Sequence, residues 1–286
     1  MCFSAGSRDS PLTNHGVLQA RRLGAHLAGR IPSIGPVRRI FSSNLQRAAT
    51  TAQAIIDAQS VSGSPNNLPR PALVQLPELR EKDFGSGEGK RFGSRTEVDQ
   101  SDSESHEAMR VRIDRFIEEH LTTTLVEATT STQDKSTVVI VAHGIILNVL
   151  LKSILLKFAA VELSRLANLG DGQRRSEHLA AWSNTGYLEI IVESKDRRPK
   201  NGPLSVASGS TEDRGSMASM PAGTKESDQP ALKLRVAILN CVEHLQGLKK
   251  TRGGIGSLKF DNKQQTMDSY FSKATKKPKL ADNSDT

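Results

Sequence analysis

The sequence predicts an α/β protein built on a mainly parallel sheet. Amphipathic helical stretches alternate with short apolar runs along the first 160 or so residues. Thr137-Val138-Val139-Ile140-Val141-Ala142 is mostly β-branched and has no polar alternation, the pattern of a parallel strand covered on both faces. That run ends at His143-Gly144 and passes directly into the apolar stretch Ile145–Phe158. Open α/β sheets bind ligands at strand-to-helix junctions of this kind.

Thr13 is a suitable N-cap for a helix over Asn14–Ile31, where Val17, Ala20, Leu23, Leu27 and Ile31 recur at helical spacing. Pro32 and Pro36 should break it, and Val37–Ser42 follows as a short strand. Ser43 is expected to open a second helix with Leu45, Ala48, Ala52, Ile55 and Ile56 on one face. Ser60–Arg70, rich in Ser, Pro and Asn, is a loop, and Leu73–Leu76 a further short strand. Glu78–Gly89 is a loop dense in glycine and charge. A long helix is expected over Glu104–Val126, with Met109, Ile113, Phe116, Ile117 and Leu121 turned inward. After the buried strand and its apolar helix, Tyr187–Glu193 and Leu232–Asn240 are strands, separated by a Ser-, Gly- and Pro-rich insertion at about 194–230 that should not order.

Composition excludes several classes. The chain has 286 residues, with 36% hydrophobic and 4% aromatic residues, below the apolar level of about 45–50% (a count that includes Gly) usual in globular domains. The longest apolar stretch, Ile145–Ala160, is interrupted by Asn148, Lys152, Ser153 and Lys157 and falls short of the ~20 residues of a membrane span. The first residues, Met1-Cys2-Phe3-Ser4-Ala5-Gly6, do not form a signal peptide. Cys2 and Cys241 suggest neither a disulfide framework nor a zinc site, and an intracellular setting, nucleus or cytoplasm, is expected. The formal charge of +8 is uneven: residues 248–286 carry nine Lys+Arg against four Asp, leaving the body near neutral. A nucleic-acid-binding protein is disfavoured on that distribution. The expected organisation is a folded domain at 1–247 with its insertion, then a disordered basic tail at 248–286.

Two junctions carry groups suited to an anion. One places Arg47 in the first turn of its helix; the other places His143 at a strand tip. A guanidinium beside a free helix N-terminus suits phosphate, which it can bind bidentately. Gly85, Gly87 and Gly89 lack dinucleotide-fingerprint spacing. Arg80, Lys82, Lys90 and Arg91 surround Glu81 and could help hold an anionic substrate.

The order of motifs is more specific than any one of them. Leu12-Thr13-x-x-Gly16-x-x-Gln19-Ala20-x-x-Leu23-Gly24, Ser42-Ser43-x-Leu45-x-Arg47-Ala48-x-x-Thr51-Ala52, Leu79-Arg80-Glu81-x-x-x-Gly85-x-x-Glu88-Gly89, Val139–Gly144 and Asn184-Thr185 follow one another over roughly residues 6–245. This series resembles the histidine phosphatase (phosphoglycerate mutase-like) superfamily. The resemblance implies a three-layer α/β/α fold and phosphoryl transfer through a phosphohistidine, as a phosphatase or a mutase acting on a phosphomonoester. It implies that Arg47 and His143 bind the transferred phosphoryl group, with His143 donating to developing charge, and that Glu81 is the general acid and then base. No cofactor and no metal are expected. The family's first central strand ends in Arg-His-Gly, whose His is the nucleophile, and no Arg-His-Gly occurs in these 286 residues. An N-terminally truncated domain, inactive as given, is therefore expected, with a pseudophosphatase as the alternative.

In the tail, Gln264-Gln265-Thr266-Met267-Asp268-Ser269-Tyr270-Phe271 resembles the motif with which partners dock on the sliding clamp, proliferating cell nuclear antigen (PCNA). Gln264, Met267, Tyr270 and Phe271 would make the contacts, on one 3₁₀-like turn. Lys276, Lys277 and Lys279 resemble a nuclear localisation signal. The expected partners are a small phosphorylated substrate and the clamp, with no membrane and no direct nucleic acid; a non-catalytic clamp-binding scaffold is the alternative function.

Overall fold

A computed structural model describes residues 6–61, 69–90, 102–130, 135–159, 162, 180–194, 232–249 and 258–259. The insertion after β4, the tail motif at 264–271 and the basic cluster at 276–279 lie outside the described residues.

Helix α1 (Asn14–Gly29) starts where Thr13 Oγ1 accepts a hydrogen bond from Gly16 N at 3.1 Å, as its sequence requires. It ends two residues earlier than the apolar spacing suggested. The helix ends before Pro32, as expected; Pro32 itself sits in the first turn of a short separate α2 (Ile31–Ile34), where a missing N–H costs nothing. Gly35, at φ +77°, then turns the chain into β1 (Val37–Ser43). Ser43 closes this strand rather than opening the next helix: its Oγ accepts from Leu45 N at 3.2 Å, and α3 runs over Gln46–Val61. Gln59 of α3 is buried and spans the start of β1, accepting from Val37 N and donating to Val37 O, both at 2.9 Å.

β2 (Ala72–Leu76) and β3 (Thr137–Val141) both pair in parallel with β1, in the order β2-β1-β3. The long helix expected over Glu104–Val126 divides into α4 (His106–Phe116), a π-helical turn at Ile117–Leu121 and α5 (Thr122–Thr130). β3 delivers the chain into α6 (Gly144–Phe158), and β4 (Tyr187–Ser194) and β5 (Leu232–Cys241) form a separate antiparallel pair.

Helices cover both faces of the parallel sheet. On one side Leu23 and Leu27 of α1 and Ile55 and Ile56 of α3 pack on Ile40, with Val139 and Val141 against them. On the other, Phe116, Ile113 and Ile117 meet α6 and Phe41, with Val138 and Ile140 against them. The α/β expectation therefore holds. The expectation that β3 is fully covered does not. All five of its residues are only half-buried, whereas Ile40 and Phe41 of β1 are 0% and 1% exposed. β1 has a strand on each side; β3, among the described residues, has one.

Candidate active site

The parallel strands β1 and β3 end side by side, and Ser42 pairs with Val141. The helices that follow them therefore begin close together. Arg47 occupies the first turn of α3, and His143 is the N-cap residue of α6 in extended conformation, its side chain making no capping bond. Glu81 comes from the loop after β2. Arg47, Glu81 and His143 all line one cleft, so the three residues singled out from the sequence meet in space.

Each is held by identifiable contacts. The Arg47 guanidinium donates to Gly6 O at 2.6 Å and Arg8 O at 2.8 Å, tying the segment before α1 to the site. Burial lowers its pKa, opposed by the nearby charges of Glu81, Asp9 and Glu88. Glu81 accepts from Ile145 N and Ile146 N, both at 3.1 Å, and from Lys82 N at 2.9 Å. Its carboxylate thus caps the N-terminus of α6, the place where free amides and the helix dipole favour an anion. His143 Nε2 is buried without a hydrogen-bond partner. Burial first, then the positive charges of Arg47 and Arg112, hold its pKa at about 3, so the ring is neutral at pH 7.

Several contributors were not singled out in the sequence. Arg112 of α4 donates to the carbonyls of Glu78 and Arg80, the latter at 2.8 Å, and pairs with Glu104 through Nε at 2.7 Å and a second nitrogen at 2.9 Å. It fixes the backbone on both sides of Leu79 and hence the approach of Glu81. Asp9 Oδ1 accepts from Gln46 N at 2.7 Å, capping α3. Glu88, present in the motif without a role, accepts from Ser7 N at 2.8 Å and Phe84 N at 3.1 Å. Apart from Arg112–Glu104 and Phe84–Glu88, which lie 8 and 4 positions apart, these contacts join residues 32 to 81 positions apart, and no local pattern marks them. Of the cations around Glu81, Lys82 lies 5.7 Å above the Phe84 ring. Thr185, the end of the last matching motif, lines the same cleft and is hydrogen-bonded to His244 at 2.9 Å.

Arg47, the neutral imidazole of His143, the N-terminus of α6 and the Glu81 carboxylate line one cleft, which fits phosphoryl binding and proton transfer. Among the described residues no cluster suits a metal ion, and no helix is long and apolar enough to cross a membrane.

No curated protein matches the chain in sequence. Among solved structures it is similar to mycobacterial hydrolase 1, at 17% identity and TM-score 0.52, covering 83% of this chain and 90% of that one. It is also similar to the mycobacterial glucosyl-3-phosphoglycerate phosphatase, at 15% identity and TM-score 0.50, covering 83% and 91%. Such identities establish the shared fold. The model of the histidine phosphatase superfamily (branch 1) matches residues 3–170, more than half of the chain, with Arg47, Glu81 and His143 inside the match. The chain belongs to the histidine phosphatase superfamily.

Proposed function

We propose that this domain is the binding and acid–base half of a phosphomonoester phosphatase or mutase that works through a phosphohistidine. The observation that carries this reading is the meeting of Arg47, Glu81 and His143 at the N-terminus of α6. Arg47 and the neutral His143 hold the oxygens of the transferred group as charge develops on them. A histidine nitrogen attacks phosphorus, the bond to the leaving oxygen breaks, and Glu81 delivers the proton that oxygen needs. In the second step Glu81 takes a proton from water, whose oxygen attacks phosphorus as the phosphorus–nitrogen bond breaks. A substrate phosphoryl oxygen competes with the Glu81 carboxylate for the amides of Ile145 and Ile146, freeing Glu81 for proton transfer.

The 286 residues contain no Arg-His-Gly; His15 follows Asn14 at a helix start, and His26 lies in mid-helix, so neither replaces the attacking histidine. The chain as given is accordingly inactive, and a version extended upstream by a strand ending in Arg-His-Gly hydrolyses p-nitrophenyl phosphate. Comparable turnover by the two overturns the reading.

A second reading, a clamp-bound scaffold in the nucleus, is favoured by Gln264, Met267, Tyr270 and Phe271 beside the basic Lys276, Lys277 and Lys279. A peptide spanning Lys259–Leu280 should bind PCNA at micromolar affinity. Binding that survives conversion of both Tyr270 and Phe271 to Ala removes this reading.

A further inference from the structure

β5 ends at Cys241, and a 3₁₀ turn at Glu243–Leu245 follows it and packs against α1. His244, in that turn, is 8% exposed. Its Nε2 lies 2.9 Å from the Thr185 hydroxyl, and that hydroxyl donates its own proton to Asn184 O at 2.7 Å. The hydroxyl oxygen is left only to accept, so Nε2 carries the ring proton and Nδ1 is a bare lone pair. Nδ1 is buried and has no hydrogen-bond partner among the described residues. A proton added there would put a charge in a buried place with no acceptor facing it, which is costly.

The residue that His244 holds is itself strained. Ser183–Gly186 is a turn closed by Gly186 N donating to Ser183 O at 2.9 Å, and its third residue, Thr185, stands at φ +57°. That left-handed region suits Gly or Asn and disfavours a β-branched residue. Two side chains hold the turn. Asn240 of β5 accepts from Ser183 N at 3.0 Å and donates to Ser183 Oγ at 3.2 Å. His244 grips Thr185, and of the two it alone titrates. Ser183, Asn184 and Thr185 line the cleft with Arg47 and His143.

The groups packed around His244 set the direction in which acid acts. From α1, the His26 ring centroid is 5.8 Å from that of His244, and Arg22 donates to Gln246 O at 2.8 Å. Arg30, just past α1, pairs with Glu189 of β4 at 2.7 Å, so that carboxylate is already engaged. Tyr187 of β4 has its ring centroid 6.3 Å from that of His244 and is hydrogen-bonded to His26 and Arg30, both at 3.0 Å. Burial, then a hydrogen bond to Cys241 of β5, pushes the Tyr187 pKa up to about 12, so the phenol stays neutral. Glu243, beside His244 in the turn, is exposed. Burial first, then the charge of His26, lowers the pKa of His244.

We propose that His244 is an acid-released latch that holds the Asn184–Thr185 turn in place as a wall of the cleft. Closed, the ring donates through Nε2 to Thr185. A detached ring takes up a proton near the ordinary histidine value of ~6.5, and the buried ring only at lower pH. The latch is therefore fully closed above about 6.5 and opens progressively as pH falls toward the depressed value. Opening lets Thr185 leave the left-handed region, loosens that wall of the cleft and detaches residues 243–248 from α1. One ring can raise the opening equilibrium by at most about tenfold between pH 7.5 and 5.5.

The test uses the full 286-residue chain and residue-resolved amide hydrogen exchange at pH 7.5 and 5.5, corrected for the intrinsic effect of pH on exchange. The reporters are the amides of Gly186, Leu245, Gln246 and Leu248, bonded to the carbonyls of Ser183, Val242, Glu243 and Leu245. Their protection should fall about three- to tenfold at the lower pH. His244→Gln keeps a side-chain donor for Thr185 but does not titrate, and it shares the acid sensitivity of His143 with the original chain. In this variant the fall should be at least about threefold smaller. Equal falls in the two proteins, or no fall in the original chain, overturn the proposal. So does a fall at Leu245–Leu248 with Gly186 still fully protected, because the latch then does not govern the turn. A ring-proton NMR titration of the original chain is independent of how the variant folds. His244 titrating below about 6.5 supports the latch, and titration at or above that value overturns it.

Discussion

Lowering the pH from 8 to 5 is expected to remove about 2 kcal/mol of folding stability through His143 alone. In the folded chain burial and the charges of Arg47 and Arg112 hold this imidazole at about 3. In the unfolded chain it titrates near ~6.5. As pH falls, the unfolded chain takes up the proton first, so acid draws the equilibrium toward unfolding. The contribution is complete above about 6.5 and is lost progressively toward about 3. At pH 5 the unfolded ring is roughly 97% protonated and the folded ring about 1%, which integrates to ~1.5 pH units at ~1.36 kcal/mol each. Urea unfolding at pH 8, 7, 6 and 5, followed by the fluorescence of Trp182, the single tryptophan, measures it. His143→Gln provides the reference, because the other histidines are common to both proteins. The original chain should lose about 2 kcal/mol more than the variant between pH 8 and 5. Equal losses would refute the burial and charge argument for His143.

Further outcomes follow from the same contacts. In the version carrying Arg-His-Gly, Glu81→Gln should lower kcat by about 10²–10⁴-fold, and Arg47→Ala should weaken competitive inhibition by inorganic phosphate by about 10²-fold; steady-state kinetics with p-nitrophenyl phosphate reads both. Arg112→Ala leaves the partly buried Glu104 carboxylate without its guanidinium and frees the Glu78–Glu81 backbone. It should cost about 3 kcal/mol in chemical denaturation, the scale for breaking a buried pair, and Arg112→Lys should recover only part of that, since the fork of contacts is lost. Gln59→Leu leaves both backbone groups of buried Val37 unsatisfied and should cost about 1–3 kcal/mol by urea titration.

The candidate site was legible where chemistry coincides with an element boundary. Arg47 just inside α3 and His143 at the strand tip stand out because a strand-to-helix junction in a parallel sheet points residues of those types at one place. Glu81 gains meaning only from the order of the motifs around it, since a loop carboxylate has no local signature. Arg112, Glu104 and Asp9 stayed silent. Apart from the Arg112–Glu104 pair, most of their partners are backbone groups of distant segments, which leave no periodicity in the chain. The break of α4 by a π turn at Ile117–Leu121 was equally silent, because the apolar spacing through Phe116, Ile117 and Leu121 continues across it.

The sequence by itself determined that the chain alternates helices with parallel strands, where most elements lie, and that Arg47 and His143 stand at strand-to-helix junctions. Local side-chain periodicity and capping chemistry suffice for that. Only the tertiary structure decided that Glu81 sits on the amides of Ile145 and Ile146, and that β3, among the described residues, pairs along one edge alone. Val138–Val141 are apolar enough to be covered on both faces, yet they remain half-buried. The composition of a strand records which surroundings it tolerates. Whether a neighbour fills its second edge depends on strands elsewhere in space.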